Sequence, residues 1–233
     1  MLISHKYQFI YTKTVKTAGT SIEVYFEPFC MPEGEWQFSH KRDEYSSPAG
    51  IIGVRAVKEP GHGKGYTWWN HMPAAEIKEN IGDEVWESYF RFCAIRNPFD
   101  KVVSHYFFME RPVANQHEFL KKLPFYSAIK KRRLIHGFNQ WLDKVEYPVD
   151  RAQYMLDGKF CMDDFIRFEH LPEDLARICK RLGIPYQPEK LRRLHGAIRK
   201  TDIPLKAFYT PASIQKVSDL YDLEIEKFGY GLV

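Results

Sequence analysis

Three short runs rich in aromatic and β-branched residues, at positions 7–12, 89–95 and 164–169, predict buried strands. Each leads through a polar turn into positions with helical spacing. After the first run, Ile22, Val24, Tyr25 and Phe26 suit a short helix. After the second, Asn97 reads as an N-cap and Pro98 as the first helical residue, with Val102, Val103, Tyr106 and Phe107 as the apolar stripe. After the third, Pro172 opens a helix with Leu175, Ile178, Cys179 and Leu182 inward, and Gly183 stops it. Strand, turn and helix repeated in this order predict an α/β fold, a short parallel sheet flanked by helices.

Between these units the pattern is less regular. Residues 27–47 read as a long excursion, and 50–57 as a strand or extended segment. Pro73, followed by Ala74, Ala75 and Ile77, signals a helix that stops at Gly82. Residues 115–145 alternate basic and apolar positions and read as helical, interrupted at Pro124 and Gly137. Asp157-Gly158 marks a small hairpin. A single last helix follows Thr210-Pro211, with Ile214, Val217, Leu220, Tyr221, Ile225 and Phe228 on one face.

Composition narrows the class. At 233 residues a single domain, 1–233, is the default. A hydrophobic fraction of 44% supports a packed core, and a net charge of +4 favours small acidic ligands over nucleic acid. Cys30, Cys93, Cys161 and Cys179 show no metal-ligand spacing and read as reduced thiols, with Cys93 and Cys179 buried. The chain shows neither a basic-then-apolar leader nor an apolar run near the ~20 residues that span a bilayer, so a cytoplasmic protein without a membrane span is expected.

The first strand-turn-helix carries the chemistry. Lys16, Thr17, Ala18, Gly19, Thr20 and Ser21 lie where backbone N–H groups and the positive end of a helix converge, a setting for an oxyanion. Gly19 permits close backbone approach, Thr17, Thr20 and Ser21 add hydroxyls, and Lys16 adds a full charge. In the nucleoside-triphosphate loop G-x-x-x-x-G-K-[ST], the lysine follows the last glycine and a hydroxyl for magnesium follows the lysine. Here Lys16 precedes Gly19 and the first glycine is missing. The glycine-rich loop at 61–65, containing His62 and Lys64, is a rival phosphate site without that hydroxyl.

The order Lys16-Thr17-Ala18-Gly19-Thr20-Ser21 resembles the 5′-phosphosulfate loop of sulfotransferases that use 3′-phosphoadenosine-5′-phosphosulfate (PAPS). The run from Arg96 to Ser104 resembles the same family's 3′-phosphate segment, R-[ND]-P-x-[DE]-R-x-x-S. Residues 165–171 and 225–230 resemble its later core strand and C-terminal helix end. The nearest patterns are carbohydrate-type. The family commonly has His-x-Pro-Lys before the loop, where this chain has Lys13-Thr14-Val15-Lys16.

The resemblance implies a P-loop-like nucleotide-binding core, PAPS as donor, adenosine 3′,5′-bisphosphate as product and no metal requirement. It implies that Arg96 and Ser104 clasp the 3′-phosphate, that Arg199 and Lys200 close over it, and that Lys16 stabilises the departing phosphate. His71, just ahead of the helix at Pro73, stands where related enzymes carry their base; His62 is the second candidate. Lys130, Lys131, Arg132 and Arg133 form a solvated face or a rim for an anionic glycan. The expected acceptor is a small-molecule or glycan hydroxyl, with sugar, lipid, peptide tyrosine and small alcohol all left open, as is the oligomeric state. A P-loop-type kinase and a non-catalytic nucleotide- or polyanion-binding module are the alternatives.

Overall fold

A computed structural model describes residues 1–56, 65–110, 126–145, 147, 149–192, 194 and 201–232. The chain folds as two compact units, Met1–Ile95 with Asp150–Leu194, and Arg96–Val149 with His195–Val233. The first unit opens with β1 (Leu2–Ser4), β2 (Phe9–Thr12), α1 (Gly19–Phe26), β3 (Tyr45–Ser47), β4 (Gly50–Ile52), α2 (Ala74–Ile81), α3 (Asp83–Ser88) and β5 (Phe90–Ile95). The second takes α4 (Pro98–Glu110) and α5 (Tyr126–Leu142). The chain then returns to the first unit with α6 (Arg151–Tyr154), β6 (Met155–Leu156), β7 (Lys159–Phe160), β8 (Asp164–Arg167) and α7 (Leu171–Leu182). It closes the second with α8 (Pro211–Leu220) and α9 (Asp222–Phe228).

The main sheet has the order β3-β4-β1-β2-β5-β8. The three strands expected from the sequence, β2, β5 and β8, are adjacent and parallel. The expectation of a parallel sheet is corrected for the other half, where β1 pairs antiparallel with β2 and β4, and β4 with β3. The reason is connection length. Four residues separate β1 from β2 and two separate β3 from β4, enough for a hairpin and far short of a crossover helix. The Asp157-Gly158 hairpin forms as expected, with both turn residues at positive φ (49° and 74°) joining β6 to β7.

In the first unit the core lies on the sheet face covered by α1 and α7. Phe9 and Tyr11 of β2, Phe92 and Ala94 of β5, and Ile166 of β8 meet Ile22, Tyr25 and Phe26 of α1 and Leu175, Ile178 and Cys179 of α7. Phe26 stands edge-on to Phe9 and Phe92, with ring centroids 5.5 and 5.3 Å away, a favourable aromatic geometry. Cys30, Cys93 and Cys179 are buried and outside any disulfide.

In the second unit Phe99, Val102, Val103, Tyr106 and Phe107 of α4 pack with Phe138, Trp141 and Leu142 of α5 and with Phe208, Val217 and Tyr221. Two expectations are corrected here. Gly137 does not interrupt α5: the helix runs through it, and a Cβ there would lie 2.8 Å from Tyr106 Oη. The last helix is two helices, α8 and α9, divided at Tyr221; the break keeps Val217, Tyr221 and Ile225 on one core. Among the described residues no helix is long and apolar enough to cross a membrane.

Gly50 marks where the antiparallel half of the sheet closes on the segment after α1. A Cβ there would run into Ile3 O and lie 2.9 Å from Cys30 O, both backbone atoms that cannot swing away. Gly50→Ala should destabilise the fold by about 1–3 kcal/mol, read as a lowered urea midpoint.

Candidate active site

Residues 13–18 turn the chain from β2 into α1. Lys16 and Ala18 both adopt the left-handed conformation, each at φ 61°, which costs an L residue roughly 1–2 kcal/mol. Left-handed residues in a turn tip successive N–H groups toward one concavity, an arrangement suited to an oxyanion. The N–H groups of Ser21 and Ile22 already bond Ala18 O, at 2.8 and 3.2 Å. Those of Gly19 and Thr20 belong to the first helical turn, where no intrahelical acceptor exists.

The loop is braced from below. Thr14 Oγ1 donates to Ala94 O of β5 at 2.5 Å and lies 2.8 Å from Thr17 Oγ1. Having spent its own proton on Ala94, the Thr14 hydroxyl accepts that of Thr17. Ser21 Oγ accepts the Leu194 N–H at 3.1 Å. The Thr17 hydroxyl and the Ser21 Oγ lone pair therefore face protein, while Lys16, Ala18 and Thr20 stay partly exposed. The buried Asp150 carboxylate accepts the Val15 N–H, 3.1 Å to each oxygen. No local pattern in the sequence marked Asp150 as a partner of the loop, since 135 residues separate the two.

Lys13 was not among the candidates. Its side chain is buried and its Nζ donates to Glu23 Oε2 at 2.7 Å. Glu23 also meets Arg55 Nη1 at 3.0 Å and the chain's amino group at 3.0 Å. Arg55 continues to Glu27, which Arg42 and Trp36 also contact, at 3.1 and 3.0 Å. Burial alone would raise the Glu23 carboxyl, but Lys13, the amino group and Arg55 together hold it well below the usual range. Burial lowers the Lys13 ammonium in spite of Glu23. The two shifts differ in origin: neighbouring cations lower Glu23 against its burial, and burial lowers Lys13 against its carboxylate.

His71 lies three residues before α2, as the sequence suggested, and has a left-handed backbone, φ 59°. Its Nδ1 is 3.1 Å from Lys13 O, and its own carbonyl accepts Gln153 Nε2 at 2.8 Å. Burial first, and the Lys13 charge second, lower its pKa to about 3. The imidazole is neutral at pH 7. His62, Arg199 and Lys200, with the loop at 61–64, lie outside the described residues.

Arg96 follows directly on β5 and opens the second unit. Its guanidinium donates to Asp100 Oδ2 from Nε at 2.8 Å and from Nη2 at 2.5 Å. Positions 96, 100 and 104 recur at four-residue spacing, which places Arg96, Asp100 and the partly buried Ser104 along one stripe at the start of α4. Asn97 caps that helix, accepting the Phe99 N–H at 3.0 Å, and donates from Nδ2 to Gly231 O at 2.8 Å. Of the basic residues on α5, Lys131 pairs with Asp202 at 2.9 Å, while Arg132 and Arg133 are exposed. Asp163 and Asp164 pair with Arg91 and Arg177 at the entry to β8. Among the described residues no group of His, Cys, Asp or Glu has the arrangement of a metal site.

A family model described as the sulfotransferase family matches residues 1–231. The chain belongs to the sulfotransferase family. An uncharacterized protein of Archaeoglobus fulgidus is 30% identical over 118 residues, covering 49% of this chain and 84% of that protein. No solved structure shows a significant match. Family membership makes the chain a sulfotransferase in general terms, and hence a transferase acting on a small-molecule acceptor.

The strained backbone at Ala18 yields a test of the loop. Ala18→Gly removes the left-handed penalty and adds unfolded-chain entropy of similar size, so stability should change by no more than about 1 kcal/mol. Ala18→Val puts a β-branched residue at φ 61° and should cost more than ~1 kcal/mol. Thermal unfolding of the two variants separates these outcomes; equal stability would mean that the loop does not hold this conformation.

Proposed function

We propose that this sulfotransferase-family chain moves a sulfuryl group from PAPS to an acceptor hydroxyl, leaving adenosine 3′,5′-bisphosphate, around a P-loop-like core. The observation that carries the reading is the lysine-bearing left-handed turn between β2 and α1. It sets backbone N–H groups, a helix start and Lys16 around one concavity above a cation-rich cluster, a donor set that suits a phosphosulfate. β2 and β5 are parallel neighbours. The turns after both strands thus leave from their carboxyl ends, where open α/β sheets bind nucleotides. In this reading Lys16, Thr17, Ala18, Gly19, Thr20 and Ser21 hold the 5′-phosphosulfate, Thr17 through its N–H group and Ser21 through the hydroxyl proton left after its oxygen accepts the Leu194 N–H. Arg96 and Ser104, with Arg199 and Lys200, hold the 3′-phosphate. Asp100 keeps the Arg96 fork extended along the stripe that ends at Ser104.

PAPS supplies an activated sulfuryl group. As the S–O bond to the 5′-phosphate breaks, its electron pair passes to a phosphate oxygen, and Lys16 neutralises the charge that builds there. The acceptor oxygen bonds to sulfur and gives its proton to His71 Nε2. In-line displacement with a loose transition state is the expectation by analogy with phosphoryl transfer. Sulfuryl carries less charge than phosphoryl, so Lys16 and the N–H groups suffice without a metal. The carbohydrate-type resemblance favours a sugar hydroxyl as acceptor.

Two measurements test this. At ~100 times its dissociation constant, adenosine 3′,5′-bisphosphate should stabilise the protein by about 2.7 kcal/mol, with adenosine monophosphate doing far less. Equal stabilisation by ATP with magnesium would replace the reading by a kinase.

Single substitutions should separate binding from chemistry in a sulfate-transfer assay. Arg96→Ala should weaken bisphosphate binding by about 1.5–3 kcal/mol. Lys16→Ala should lower kcat beyond its effect on affinity. His71→Ala should lower kcat ~10²–10⁴-fold with binding almost unchanged. Normal turnover in His71→Ala would give the proton to another group.

A further inference from the structure

We propose that Lys13 is a positioning residue of the active site: its carbonyl turns the His71 ring so that Nε2 is the open nitrogen, and its ammonium, pinned on Glu23, is the fixed charge behind that ring. The inference rests on the reading of His71 as the base. Lys13 touches neither donor nor acceptor in it.

The first half follows from hydrogen-bond direction. Nδ1 of His71 lies 3.1 Å from Lys13 O, and a carbonyl only accepts. The proton of the neutral ring is therefore on Nδ1 and the lone pair on Nε2, across the ring from Lys13. A proton on Nε2 would set two lone pairs against each other. The left-handed backbone of His71 and the Gln153 bond to its carbonyl fix the residue from the other side. A non-glycine residue in that conformation is held there by its surroundings.

The second half follows from the path of the lysine. Its stem passes beneath the loop so closely that a Cβ on Gly19 would lie 2.9 Å from Lys13 Cγ and 3.1 Å from Cε. The ammonium ends on Glu23 Oε2 at 2.7 Å, inside the buried cluster with Arg55. The charged groups acting on the ring are Lys13 at the end of β2, the amino group ahead of β1 and Glu23 on α1; Gln153 of α6 is neutral. Burial opposes protonation of the ring most, Lys13 and the amino group oppose it next, and Glu23 and the Lys13 carbonyl favour it. Removing the Lys13 charge therefore makes the ring easier to protonate, and removing the Glu23 charge makes it harder.

Side-chain ¹⁵N NMR of the full chain between pH 4 and 8 reads both halves, with the His71 signals assigned by their loss in His71→Ala. Wild-type His71 should be neutral, with its proton on Nδ1, down to the low end of that range. In Lys13→Met, which keeps the carbonyl and most of the stem, the ring should begin to titrate inside the range. Its kcat should then fall toward the acid end of the range, while bisphosphate affinity, weakened by loss of the buried charge, shows no parallel fall. Lys13→Arg, which keeps the charge, should restore the neutral ring. Glu23→Gln should leave it neutral throughout.

A wild-type ring protonated on Nε2, or one titrating near pH 6.5, overturns the proposal even if no Lys13 variant folds. So does a Lys13→Met ring that behaves as wild type. The tautomer is read without turnover. Absence of sulfate transfer in the wild type thus counts against the functional reading, and a wrong tautomer with transfer intact counts against the role of Lys13.

Discussion

A buried lysine crossing under a glycine is the contact on which the loop depends. Lys13 leaves β2, passes beneath Gly19 and reaches Glu23 one turn into α1. It thereby joins the end of the strand to the inner face of the helix. Charges out of water are costly unless each is paired, and here each is. Glu23 has Lys13, Arg55 and the amino group, while Arg55 has Glu23, Glu27 and the carbonyls of Ser39 and His40. A pair of this kind is worth little against an apolar replacement. Losing one partner alone leaves a buried charge and costs about 3–5 kcal/mol. The arrangement therefore specifies geometry more than it adds stability.

The same cluster sets the field in which the loop works. Lys13, Arg55 and Arg42 face two carboxylates, Glu23 and Glu27. This leaves a positive surplus under backbone N–H groups that already point toward the concavity. Solvent screens the mobile charge of Lys16 well and the buried charges poorly. An anion in the turn feels both. The Asp150 carboxylate works against this, yet the Val15 N–H would otherwise lose its acceptor. Family relatives with proline at that position have no such N–H to satisfy.

What the sequence revealed, and what it withheld, divides along the range of the interactions. β2, β5 and β8 were legible because an apolar run with the right residue types is a local signal. The starts of α4 and α7 and the hairpin at Asp157-Gly158 were legible through caps and turn residues for the same reason. β1 and β3 were missed because three residues at a chain end or inside an irregular stretch carry no periodicity. Gly137 was misread as a break because glycine marks both flexible turns and close contacts, and only the position of Tyr106 decides which. At the site, Lys16 and His71 stood out through their place beside predicted elements. Lys13 did not, because one lysine in a polar turn looks like another until Glu23 is known to lie beneath it. Asp150 and Gln153 were out of reach altogether, being partners across 82 to 135 residues.

If His71 is the proposed base, a pKa near 3 raises a question of strength, and the nature of the transition state answers it. Brønsted behaviour favours a base whose pKa lies close to the working pH, which would count against so acidic an imidazolium. In a loose transition state, however, the bond from acceptor oxygen to sulfur is only slightly formed. The hydroxyl proton is then little acidified until the new bond closes, and afterwards it is far more acidic than any imidazolium. What the proposed step requires of His71 is a lone pair at the right place when that happens, with no proton already on it. The low pKa secures the second condition, and the Nδ1 bond to Lys13 secures the first. An anion entering the turn would also offset the Lys13 charge that depresses His71, so the ring becomes more basic when the donor is in place. Occupied and empty sites would thus differ in basicity without any movement of the ring.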